Sequence, residues 1–157
     1  MTAGMLKKWI TDTLKNDTEF RDFCIATVGK ELSYYRSAPI NEVVETLPFC
    51  TVYSDEYEHN ARSEDTWNKT WNIPLAIGIT SNDESIDDNG VTVWDSTDKV
   101  EEIAMRAIDI LTKESFSCGV KNEPINLIDT QMMITEIGEA DDTQASLFIT
   151  FGKLNGI

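Results

Sequence analysis

The longest regular alternation of apolar and polar positions lies between residues 71 and 111. Trp71, Ile73, Leu75, Ile77 and Ile79 alternate with Asn72, Pro74, Ala76, Gly78 and Thr80. Period two puts every large apolar side chain on one face and predicts a strand over residues 71–80. The opposite face is small and polar, which fits a subunit contact, a solvent face or a site under a loop. Pro74 has no amide hydrogen to give to a ladder, so it predicts an edge strand or a bulge. Farther on, Val100, Ile103, Ala104, Ala107, Ile110 and Leu111 recur at helical spacing. They predict a helix over residues 98–113 that covers the sheet with one apolar stripe. Glu102, Arg106, Asp109 and Lys113 give it a solvated charged face. Asp98 is placed to cap it, with Glu101 as the reciprocal partner.

The flanking segments read as elements that dock on this pair. Leu6, Trp9, Ile10, Thr13 and Leu14 predict a short amphipathic helix. Asn16 breaks it and is placed to cap a second helix, with Glu19 at the reciprocal position. Phe20, Phe23, Cys24, Thr27 and Val28 give that helix its inner face, and Gly29 ends it. Residues 30–38, with Tyr34 and Tyr35, fit either strand or loop. Pro39 is able to open a helical turn through Glu45. Residues 47–53 predict a strand with Leu47, Phe49, Thr51 and Tyr53 on one face and Cys50 and Val52 on the other. Pro48 places its start near an edge. Residues 91–94 predict a short strand leading into the long helix.

In residues 125–137, Ile128, Met132 and Ile134 share one face while Leu127, Met133 and Ile137 share the other. Apolar groups on both faces predict a central strand, or one covered by a partner on its far side. Ala145, Leu147, Ile149 and Phe151 alternate again beyond a turn at 138–143 and close a hairpin. The order of elements predicts one α+β domain over residues 1–157. Its sheet is mostly antiparallel or mixed, of four to five strands, with helices packed on one face.

Charge changes the picture more than composition does. The chain has 28 acidic and 13 basic side chains, a formal net charge of -15. Such a surface repels a duplex backbone, so ordinary nucleic-acid binding is not expected. Nine of the acidic side chains lie in two long connections, residues 54–65 and 81–90. Connections of this kind are uncommon in a small domain unless they bind something or are disordered. Asp55, Tyr57, His59 and Arg62 in the first, and Asp83, Asp87 and Asp88 in the second, are the candidate partner contacts.

The search for chemistry is nearly empty. Cys24, Cys50 and Cys118 are far apart, odd in number and outside any C-x-x-C, against a zinc site or disulfide framework. His59 is the only histidine, and no Ser or Cys stands within three residues of it in the sequence. Residues 83–90 look like a calcium loop, but aligned on Gly90 the twelfth position is Ser96 in place of the bidentate Glu, and a strand precedes it. No catalytic set, metal or cofactor is expected, nor is a membrane span or signal peptide.

The layout resembles the tail terminator (tail completion) and related minor tail proteins of long-tailed bacteriophages. The resemblance is carried by the N-terminal helix and the Pro-flanked strand Leu47-Pro48-Phe49-Cys50-Thr51-Val52-Tyr53. It continues in the long strand Trp71-Asn72-Ile73-Pro74-Leu75-Ala76-Ile77-Gly78-Ile79, the helix around Val100-Glu101-Glu102-Ile103-Ala104-Met105-Arg106-Ala107-Ile108, and the closing hairpin. It covers most of the chain; the second helix and the Tyr34-Tyr35 segment depart from it. It implies a structural virion protein without catalysis or cofactor, located in the virion tail and assembled in a bacterial cytoplasm. Its copies would form a ring, commonly of six, contacting the tail tube protein and the head-tail connector proteins. Six copies would carry a formal charge of roughly -90, and an acidic lumen lets DNA pass without sticking. Charge alone supports a second reading, an acidic DNA mimic that occupies the basic groove of a nucleic-acid-binding enzyme. A third, a small hydrolase or metal-dependent enzyme, would rest on His59 and the loop carboxylates.

Overall fold

The computed structural model describes residues 3–38, 46–53, 70–80, 84–114, 125–136 and 142–153. In chain order these form α1 (Ala3–Asn16), α2 (Thr18–Val28), β1 (Ser33–Arg36), β2 (Phe49–Val52) and β3 (Thr70–Thr80). Then come β4 (Glu84–Ile86), β5 (Thr92–Trp94), α3 (Ser96–Glu114), β6 (Ile125–Glu136) and β7 (Asp142–Lys153). Five strands form one sheet in the order β1-β2-β3-β7-β6, and β4 and β5 form a separate two-stranded hairpin. Only the β1–β2 pairing is parallel; the other pairings are antiparallel. This is the expected α+β fold, with a mixed sheet. The predicted turn after Pro39, the connections 54–65 and 115–124, and residues 137–141 lie outside the described residues.

The core sits between one sheet face and the helices. Trp71, Ile73, Leu75, Ile77 and Ile79 of β3 and Ala145, Leu147, Ile149 and Phe151 of β7 are all buried there. Against them pack Leu6, Ile10 and Leu14 of α1, Phe20 and Cys24 of α2, and Val100, Ile103, Ala104, Ala107 and Leu111 of α3. Burial of this size of aliphatic side chain stabilises by about 1.5–3 kcal/mol each. The indole of Trp9 meets the Phe151 ring edge-on, centroids 5.9 Å apart. The charged face of α3 is tied to α2 by the Arg106 guanidinium, 4.2 Å above the Phe23 ring.

The helix caps shift by one or a few residues. Asp17, not Asn16, caps α2: the Phe20 N–H donates to Asp17 Oδ1 at 2.8 Å. Asn16 is the last residue of α1. Gly29 ends α2 in the left-handed conformation, φ 84°, its N–H donating to Ile25 O. The long helix begins earlier than expected, with the Lys99 N–H donating to Asp95 O at 2.9 Å. Asp98 therefore lies inside the first turn, where a carboxylate still favours the N-terminal dipole.

Pro74 does not mark an edge, because β3 is the middle strand of the sheet. The Tyr53 N–H donates to Pro74 O at 3.2 Å, so residue 74 turns its backbone toward β2. β2 ends at Val52, paired with Leu75. The missing amide thus falls on the rung where β2 leaves the sheet, and the Pro74–Phe148 rung toward β7 does not need it. Likewise β2 is interior and β1 is the edge; β1 starts where the Ser33 N–H donates to Pro48 O at 2.9 Å.

The small face of β3 is closed from within the chain. Phe49 stands opposite Gly78 on β2 and packs on Ala76, ringed by Tyr35, Ala38, Leu47 and Tyr53. A side chain at Gly78 would run into the Phe49 ring, so glycine is required there by close approach. Of the readings open for that face, coverage by neighbouring segments of the same subunit is the one found at Ala76 and Gly78.

Candidate assembly surface

β6 is where the pattern and the structure part most. It lies at the edge of the sheet, not its centre. A bulge between Leu127 and Asp129 inserts Ile128 as an extra residue, which reverses the parity of everything before it. Leu127 therefore joins Met132 and Ile134 against the core. Ile128 crosses to the outer face and lies over Gly152, where a Cβ would meet its Cδ1. Ile128 and Met133 end up on the same outer face, 57% and 54% exposed. Asp129 and Gln131 lie exposed beside them, and Thr150 Oγ1 donates to Asn72 Oδ1 at 2.8 Å farther across that face. Two large exposed apolar groups on a twelve-residue edge strand are a surface that is costly to leave in water.

A second exposed element is the β4–β5 hairpin, which occupies part of the predicted acidic connection 81–90. All three residues of β4 are exposed, so no alternation marks that strand. The turn chemistry sets it instead. Asp87 Oδ1 accepts from the N–H groups of Asn89 and Val91, each at 2.9 Å, and the Gly90 N–H donates to Asp87 O at 3.0 Å. Gly90 takes φ 78°, which suits the Asn-Gly pair. The hairpin carries Ile86 and Val91, 72% and 55% exposed. Isolated two-stranded hairpins are marginal in water, so such an element gains from a partner surface.

Of the candidate partner contacts, Asp87 and Asp88 lie at the tip of this hairpin. Asp87 is engaged by its own turn, and Asp88 is exposed beside it. Asp55, Tyr57, His59, Arg62 and Asp83 lie outside the described residues. Ile128 and Met133 were not among the candidates. Their signal was present as apolar residues on both faces of one segment, but an unmarked bulge hid which residues share a face.

A groove of about 880 Å³ runs between α2 and α3. Asp17, Glu19, Asp98, Glu101, Glu102, Asp109 and Glu114 line it with Arg106 and Lys113. Among the described residues no three His, Cys, Asp or Glu side chains gather to hold a metal ion. No helix is long and apolar enough to cross a membrane. Burial pushes the Cys24 thiol up to about 12, partly opposed by the Arg106 charge. Burial also raises Cys50, with Cys24 nearby adding to the shift. Thiolate chemistry is disfavoured at both.

Comparison with solved structures shows a likeness of fold. The chain resembles a chain from the virion of a native gene transfer agent particle, with a TM-score of 0.58. The match spans 97% of this chain and 96% of the other at 12% identity. At that identity it is the fold that is shared. No family model matches the sequence, and no curated protein matches it. The match is end to end, so the helices, the five-stranded sheet and the edge strand β6 all fall within it.

Proposed function

We propose that this chain is a structural subunit of a phage-like virion, and a tail-terminator-like one. In this reading its copies close into a ring that caps the tail tube and joins it to the head, within the virion tail. The observation that carries the reading is the end-to-end likeness of fold to a gene transfer agent virion chain. It is supported by apolar groups left exposed on β6 and on the β4–β5 hairpin, which an assembly would cover. The role needs no catalysis and no cofactor. A net charge of -15 per copy keeps the surface, and a ring lumen, unattractive to passing DNA. The partners are further copies of the chain, six in the ring, then the tail tube and connector proteins. Assembly takes place in a bacterial cytoplasm.

The test is native mass over a range of concentration and salt, followed by negative-stain imaging with and without tail tubes. Closed rings, free or seated on tube ends, are the expected result. A monomer at every concentration that also leaves tube ends bare would sink the reading. The acidic α2–α3 groove favours a second reading, mimicry of DNA toward a basic enzyme groove. Competition with DNA for such an enzyme at low salt would support it, and absence of competition would remove it.

A further inference from the structure

The sheet has two unpaired edges among the described strands, and they differ in charge and direction. At the β6 edge the backbone pattern follows from the Tyr53–Pro74 bond through the unbroken register of β3 and β7. Asp129, Gln131 and Met133 turn their N–H and C=O toward β7, while Thr130, Met132 and Ile134 present theirs outward. At the β1 edge, the N–H groups of Ser33 and Ser37 donate to Pro48 O and Val52 O, at 2.9 and 2.7 Å. Tyr34 and Arg36 therefore turn outward. Following the pairings across the sheet, β6 is antiparallel to β1. A second copy placed in the same orientation alongside the first thus brings an antiparallel junction, β6 against β1.

Charge selects this pairing over the symmetric ones. The charged residues of β6 are Asp129 and Glu136, and that of β1 is Arg36. Residues 1–38 hold six Lys or Arg and five Asp or Glu, a net of +1; the whole chain is -15, so residues 39–157 carry -16. Placing β6 on β6 sets acid against acid, and β1 on β1 brings two copies of Arg36 to one short seam. Placing β6 on β1 sets Asp129 and Glu136 against a segment whose net charge is +1.

We propose that the β6 edge, with Ile128 and Met133 on its outer face, docks on the β1 edge of a second copy of this chain. The contact is head-to-tail, so it leaves a free β1 on one copy and a free β6 on the other. Repeated with the right rotation, it closes a ring. This inference rests on the ring reading above and names the surfaces that build it.

The test uses the full chain with Met133→Glu, which blocks the β6 side, and Arg36→Glu, which blocks the β1 side. Both residues are exposed, and far-UV circular dichroism checks the fold of each variant. Thr130→Pro removes an outward amide without touching the β7 ladder, and replaces Met133→Glu if that variant misfolds. Each variant alone is expected to associate at least about tenfold more weakly than the unaltered chain. Mixed one to one, they should form a dimer of one copy each and nothing larger. Met133→Glu still offers an intact β1, and Arg36→Glu an intact β6. Arg36→Glu assembling like the unaltered chain, or an inert mixture, overturns this inference and leaves the ring reading standing. If the unaltered chain assembles neither alone nor on tubes, both fall.

Discussion

Replacing Gly78 tests how the second face of the sheet is closed. Gly78 on β3 stands directly opposite Phe49 on β2, and both are fully buried. A Cβ at Gly78 would overlap the ring at Cε2 and Cζ. Relief requires moving a ring already enclosed by Tyr35, Leu47 and Tyr53, and overpacking of this kind costs about 1–3 kcal/mol. Phe49→Ala alone removes a buried aromatic and costs about 3–5 kcal/mol. Once the ring is gone, Gly78→Ala has room. It then replaces a strand glycine, a gain of about 0.5–1 kcal/mol. The two changes should therefore couple by about 1.5–4 kcal/mol, well beyond the error of a double-mutant cycle. Urea unfolding of the four proteins measures this from the midpoints, provided the slope stays constant. In a chain of this length Gly78→Ala alone should lower Tm by about 2–12 °C. If Gly78→Ala has the same cost with and without the Phe49 ring, the ring does not close that face and the account of the small face is wrong.

Other outcomes follow from single contacts. Asp17→Ala removes the carboxylate that accepts the Phe20 N–H and should cost about 1 kcal/mol by urea unfolding, whereas Asn16→Ala should cost much less. Burial raises the Cys24 thiol from the ordinary 9.0 to about 12, so the folded chain holds a proton that the unfolded chain releases. That stabilisation is complete below pH 9 and is lost as pH rises toward 12; urea midpoints should fall over this window, less steeply in Cys24→Ala. Asp87→Ala removes the acceptor of two backbone amides, so hydrogen exchange at Asn89 and Val91 should speed up. The melting temperature of the main domain should hardly move, because the hairpin is a separate two-stranded unit.

What could be read from the sequence was whatever a single face of one element records. The large apolar residues of the stripe from Val100 to Leu111 and of the alternation from Trp71 to Ile79 are buried in one core as expected, except Ile110, which is half-buried. The cap of α2 is one residue from its predicted place because Asn16 and Asp17 are both good caps; the choice depends on where α1 stops. β1 carried no pattern, since a four-residue strand with half-buried Tyr34 and Tyr35 gives too little alternation. The strand predicted over 91–94 is β5, but its partner β4 was hidden because all three of its residues are exposed, although Asn89-Gly90 is a recognised turn pair. Pro74 misled because the rule against proline in interior strands concerns a missing donor. A central strand meets that rule wherever its neighbour ends on that side.

β6 shows why assembly surfaces are hard to see in one chain. Apolar residues on both faces left two readings open, a central strand or a strand covered by a partner on its far side. The bulge at Ile128 and the edge position change what that pattern means. One set, Leu127, Met132 and Ile134, is buried by the subunit; the other, Ile128 and Met133, is left to water. A sequence records burial without saying whose atoms do the burying. Under the ring reading, the second apolar face of β6 is the imprint of the next copy. Replacing Met133 with a charged residue should then leave the fold of the monomer unchanged and stop the chain from assembling. Loss of the fold itself would mean that Met133 serves the subunit's own core.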